Sequence, residues 1–169
     1  MVSKVIRVES IELKSFKAAV SQLNDTNVGK VGWFPSAVYD DARGTPVATV
    51  AAVNEYGSPA KNIPARPFFR PAIAAYKNEW IDLSLKGARS ILAGKHTADQ
   101  VLELITARAA GQVAGAISNP LVYWEPLHPM TIARRLAKKT DKTTVGLLTK
   151  PLVDTGHMLA TLDHEVSPE

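Results

Sequence analysis

The residues best placed to do chemistry in this 169-residue sequence are Asp154-Thr155-Gly156, at the centre of KPLVDTGHML. In an aspartic protease two such carboxylates share one proton, each held in a tight loop by its Thr and Gly and enclosed by strands. The sequence has one such tripeptide, so the second would have to come from a symmetric copy. Thirteen residues follow Gly156, too few for the strands and flap of a dimeric protease, so a structural turn is expected, with Asp154 capping a helix from Thr155 or Gly156. The four histidines, His96, His128, His157 and His164, show no HxxxH or HExxH spacing and read as surface or capping residues. There is no cysteine, which excludes thiolate metal sites, disulfides and cysteine nucleophiles. Neither a GxGxxG or P-loop phosphate cradle nor a GxSxG nucleophile elbow occurs. No catalytic, cofactor-binding or metal-binding residue is assigned, and a non-enzymatic protein is expected.

Charge leaves one further site open. The chain has 20 Lys+Arg against 16 Asp+Glu, a net charge of +4, which permits nucleic-acid contact without requiring it. The densest basic run is ARRLAKKTDK, 133 to 142, including Arg134 and Arg135. It reads either as a solvated helix end or as a phosphate-binding arm, though no aromatic residue is interleaved to stack on bases. With 46% apolar and 21% charged residues, the composition is that of a single globular domain, 1 to 169. MVSKVIRVES alternates apolar and polar residues rather than forming a signal-peptide core, and no run reaches membrane-spanning length, so synthesis in the cytoplasm without membrane insertion is expected.

Several elements must position whatever these residues do. From Ser10 as N-cap, Leu13, Phe16, Val20 and Leu23 mark the apolar stripe of a first helix. VGKVGWF, 28 to 34, reads as a strand. Thr45-Pro46 suggests a helix start and Gly57 a stop, so VATVAAVNEY is expected to be helical, with a strand as the competing reading. Prolines 59, 64, 67 and 71 make 57 to 72 an extended, stiff connector in which only the last proline can open a helix. Phe69, Ile73, Tyr76, Trp80, Leu83 and Gly87 then share one stripe of a long helix closed by Gly94. Thr97 and Gln100 form a capping box for a second long helix, whose buried stripe is expected to be Val101, Leu104, Ile105, Ala109, Val113, Ala116 and Ile117. Ala110, Gly111, Ala114 and Gly115 would let another backbone approach it. A short helix capped by Thr131 follows, then a loop at 140 to 150 that lacks periodicity, and a strand at 161 to 166.

Three blocks then become recognisable together. NEYGSPAKNIPARPFFRPAI, 54 to 73, resembles the Glu-aromatic-Gly and Pro-Ala-Arg-Pro-Phe-x-Arg-Pro-Ala signature of the tail-completion or neck proteins of tailed bacteriophages. WEPLHPMTIARR, 124 to 135, is similar to their Trp-x-Pro-Leu-x-x-x-Thr stretch, and KPLVDTGHMLATLDHEV to their Lys-Pro-Leu-x-Asp-Thr-Gly ending. The blocks run in the family's order over 54 to 166; the departures are a leucine set one place late at Leu159 and Thr161 near the usual serine. The resemblance implies a non-enzymatic minor tail or virion morphogenesis protein without cofactors, found in the virion neck. It implies a homo-oligomeric ring, usually a hexamer, at the top of the tail. One side would bind a tail terminator or tube protein and the other a head-completion or connector protein, with DNA passing through unread.

On that reading Glu55, Tyr56, Arg66, Phe68, Arg70, Trp124, Arg134 and Arg135 are candidates for subunit or partner contacts, while Gly57, Asp154, Thr155 and Gly156 form structural turns and caps. Glu55 is the nearest partner in the chain for Arg66. Phe69 is expected in the core; interface and surface remain equal readings for Arg66 and Arg70. The fold expected is α+β: a small, mostly antiparallel sheet from 28 to 34 and 161 to 166, with 2 to 8 as a further strand, packed on two long helices with long loops. The alternatives in function are a tail terminator ring, a nucleic-acid-binding protein using 133 to 142, and the dimeric protease.

Overall fold

The computed structural model describes residues 11 to 23, 27 to 138 and 149 to 169. In chain order these form α1 (Ile11–Leu23), β1 (Asn27–Gly32), α2 (Val47–Tyr56), a 3-10 turn (Pro59–Lys61), α3 (Phe69–Leu92), α4 (Ala98–Ser118), α5 (Pro129–Lys138), α6 (His157–Ala160) and β2 (Asp163–Pro168). The fold is α+β. Two long helices, α3 and α4, pack along each other, and a two-stranded antiparallel sheet lies on α4. In that sheet Asn27 faces Pro168 and Gly32 faces Asp163. The expected further strand at 2 to 8, the Ser10 cap and most of the loop at 140 to 150 lie outside the described residues, and the second strand is set two residues later than 161 to 166.

Two glycines set the packing distances. A Cβ on Gly29 would overlap the Thr106 methyl of α4, and one on Gly87 of α3 would overlap Val101 Cγ1 of α4. Thr106 turns its methyl to the sheet because its hydroxyl donates to the carbonyls of Leu102 and Glu103, at 2.8 and 3.1 Å. The α3–α4 seam is further joined by a polar ladder: Trp80 Nε1 donates to Gln112 Oε1 at 2.6 Å, and Gln112 Nε2 and Arg108 Nε donate to the Glu79 carboxylate at 2.8 Å each. Those two donors lower the Glu79 pKa. The core lies at one end of this pair, where Val47 and Ala51 of α2, Phe68 and Ala72, Val113, Ala116 and Ile117 of α4, Trp124 and Met158 pack together.

Local signals were read correctly where their partners lie within a turn. The Thr97–Gln100 capping box forms in both directions, and Gly94 ends α3 with φ +68°. Other caps differ from expectation. Thr45 does not cap α2; Pro46 holds that position, and the Thr45 hydroxyl donates instead to Asp41 at 2.7 Å. Pro59 opens the 3-10 turn, and α3 begins at Phe69, so Pro71 lies inside its first turn rather than starting it. Thr131 lies inside α5, whose entry is held by His128 Nδ1 accepting from the Met130 N–H at 3.2 Å. Two stripes are also corrected: Leu104 is 64% exposed while Thr106 is buried, and Leu13, Phe16, Val20 and Leu23 all face outward, with α1 seating Ala19 instead. At Gly111 and Gly115 the small-residue face of α4 meets no backbone among the described residues, since a Cβ on either would touch nothing.

Candidate functional site

The connector at 57 to 68 is held by a clasp built from residues far apart in sequence. Its first half turns back on itself: Gly57, at φ +75°, brings the chain so close that a Cβ there would lie 2.8 Å from the Ala65 nitrogen. Ser58 and Ile63 then exchange backbone hydrogen bonds at 2.8 and 3.0 Å around the left-handed Asn62. The second half is extended, as its prolines require, and ends at Phe68, which occupies the N-cap position of α3 without a capping side chain of its own.

Glu55 supplies that cap. It sits in the last turn of α2 and is buried, and its Oε2 accepts from the Phe68 and Phe69 N–H groups at 2.7 and 2.9 Å. Its Oε1 accepts from the Arg70 N–H at 3.1 Å and from Arg70 Nε at 2.9 Å. Burial pushes the Glu55 pKa up, but the hydrogen bonds from Phe68, Phe69 and Arg70 outweigh it, and the net direction is down. The carboxylate thus meets the positive end of α3 and its free donors at once. Arg70 also donates to the Glu55 carbonyl at 3.1 Å and lies 4.7 Å over the Tyr56 ring.

Two more links close the clasp from the opposite side. Trp124 Nε1 donates to the Pro67 carbonyl at 2.9 Å, and the Arg66 guanidinium donates to the Glu125 carbonyl at 3.2 and 3.4 Å. Arg66 is 7% exposed; burial lowers its pKa, the Glu125 carboxylate opposes this, and the Arg135 guanidinium adds to it. Arg135 in turn pairs with Asp154 at 3.3 Å and donates to the Lys150 carbonyl at 2.8 Å. The chain of contacts therefore runs from α2 through the connector and the Trp124 segment to the C-terminal turn.

The expected partner of Arg66 is corrected by this geometry: Glu55 holds Arg70, and Arg66 takes a backbone carbonyl. Of the two phenylalanines Phe68 is fully in the core, 1% exposed and edge-on to Trp33 with ring centroids 5.9 Å apart, while Phe69, partly buried, packs against that core. Glu55, Arg66, Phe68 and Trp124 are buried within the chain, so their side chains are not available to a partner. Arg70, Tyr56 and Arg134 are exposed; Arg135 is turned inward, its side chain 10% exposed. The expected Asp154 cap does not form: Gly156, at φ +76°, is the N-cap of α6, and the Thr155 hydroxyl accepts from the His157 N–H at 3.3 Å.

The histidines are separately engaged. His157 Nε2 lies 2.9 Å from the Val38 carbonyl, and its ring leans on Tyr39, whose pKa is raised by burial and then by the Asp154 charge. His164 Nε2 meets Glu103 at 2.9 Å, joining β2 to α4. Among the described residues no group of three or more His, Asp or Glu is placed to hold a metal. Beside the connector lies an open groove of about 710 Å³, lined by Tyr56, Ile63, Pro64, Arg66, Leu127 and His128 among others. Sequence reasoning missed the role of Glu55; its one signal was the missing Ser, Thr, Asp or Asn before α3. Compared with known proteins, the chain matches no family model, no curated protein and no solved structure.

Proposed function

We propose that this chain is a structural protein of the neck of a tailed bacteriophage, forming a ring at the top of the tail and joining tail to head. The observation that supports it most is the clasp. The three blocks that carry the resemblance touch one another through Trp124 and Pro67, Arg66 and Glu125, and Arg135 and Asp154, and the first is held together by Glu55 and the Phe68 N–H. A signature whose residues hold each other in place marks a shared fold rather than a shared reaction, as expected for an assembly part. The Asp-Thr-Gly turn is then one end of this network.

The surface is consistent with that role. Tyr123 is 82% exposed, Tyr56 66%, Met130 59% and Leu136 52%, a density of outward apolar groups along the clasp that subunit contacts would cover. No helix among the described residues is long and apolar enough to cross a membrane. The test is deletion of the gene in the phage or prophage and electron microscopy of the particles. Full heads beside separate, finished tails are expected. Normal infectious virions would overturn the reading and return attention to the exposed Arg134 and a nucleic-acid partner.

A further inference from the structure

We propose that α3 carries a second, outward seam through which two copies of this chain pair antiparallel about a two-fold axis. The helix has more apolar surface than α4 can use. Beside the stripe that packs on α4, Ala74, Asn78, Ile81, Leu85, Ala88 and Leu92 recur at spacings of four, three, four, three and four. This is the a/d repeat of a helix–helix seam, over roughly 28 Å at 1.5 Å per residue. Ile81 and Leu85 are 56% and 55% exposed and Leu92 39%. Leu23 of α1 and Ala88 line the same groove of about 200 Å³, so α1, whose own outward stripe has the same three-four spacing, flanks the seam.

Charge and volume say what covers it. Asp82 and Arg89 lie along one flank, both exposed, and neither has an ion-pair partner among the described residues. They are seven residues apart, roughly 10 Å along the axis, too far to pair with each other. In an antiparallel pair this flank meets its own copy, and Asp82 comes opposite the partner's Arg89, twice over. The same register sets Leu85 against the partner's Ala88, large beside small, and the two apolar side chains Ile81 and Leu92 against each other. A parallel pair would set Ala88 against itself and give Asp82 the partner's Lys77, but leave Arg89 facing Ser84. Both flank charges, Asp82 and Arg89, find an opposite charge only in the antiparallel orientation, and this self-complementarity favours a second copy over a foreign helix.

The inference does not rest on the neck reading and survives its failure; a ring with unlike faces has no two-fold axis between its subunits, so the pair is a form of the free chain and not a contact within the ring. It is tested by sedimentation equilibrium of the full chain from micromolar to hundred-micromolar concentration. A species of twice 18.2 kDa is expected. Leu85→Glu, at an exposed position, should return the mass to the monomer value with unchanged circular dichroism. Asp82→Arg and Arg89→Asp should each weaken pairing by about tenfold or more, and the double variant should restore it. A chain that stays monomeric throughout, association indifferent to Leu85→Glu, or a double variant as weak as the singles would overturn the proposal.

Discussion

Replacing Glu55 should loosen the connector before anything else in the fold. Glu55→Ala removes the acceptor for three backbone N–H groups and for Arg70 Nε, all within 3.1 Å of the carboxylate. A hydrogen bond to a charged group contributes about 1.5–3 kcal/mol, and a buried donor left without an acceptor costs about 1–3 kcal/mol. These terms overlap, and water can reach the exposed Arg70, so a loss of about 3–4 kcal/mol is expected rather than their sum. Glu55→Gln keeps the shape but turns an amide against N–H donors, and should lose about 2–3 kcal/mol.

The assay is equilibrium urea unfolding followed by tryptophan fluorescence, with Trp33 and Trp124 reporting beside the clasp. Acidification gives an independent reading. The folded-state pKa of Glu55 is lowered, so its stabilisation is fully present above the ordinary carboxylate value and is lost as pH falls through the folded value. Wild-type stability should therefore decline below the ordinary glutamate range more steeply than that of Glu55→Gln. Asp41 and Glu79 are also lowered, so the difference between the two proteins, not either curve alone, carries the result. A loss below about 1 kcal/mol for Glu55→Ala, or identical acid limbs, would refute the assignment of this carboxylate as the cap of α3.

Two further predictions follow from the same geometry. Arg66→Ala should destabilise the monomer by about 2–3 kcal/mol, because it empties a buried site and strands the Glu125 carbonyl, whereas Arg70→Ala should cost about 1 kcal/mol; thermal melts of the two variants should separate clearly. Gly87→Ala should cost about 1–3 kcal/mol by forcing α3 away from Val101, and Val101→Ala in the same chain should recover part of it, which a double-mutant cycle in urea will measure.

Much of the fold was legible because its causes are local. The Thr97–Gln100 box, Gly94 after α3, the extended second half of the proline connector and the two long helices rest on interactions within about one turn, which spacing along the chain displays directly, whereas the turn in the connector's first half was not expected. The α+β class and the antiparallel pairing of the two strands followed from the same patterns. What misled was the assumption that the nearest suitable residue is the partner. Thr45 precedes α2 yet bonds Asp41, Thr131 gives way to His128, and Asp154 turns from its helix to Arg135.

By itself, then, the sequence determined where chain segments could be helical or extended, that no cysteine or phosphate-loop chemistry is available, and which blocks matter together. Only the tertiary structure decided what those blocks do. Glu55 reaches its donor partners 13 to 15 residues away, and Trp124 reaches Pro67 across 57. Such pairings depend on how α2, the connector and the 124 segment converge, and no periodicity encodes that. The same holds for the apolar stripes: spacing reveals that a helix face is apolar, but whether this chain or another copy buries it depends on which faces the rest of the fold has already covered.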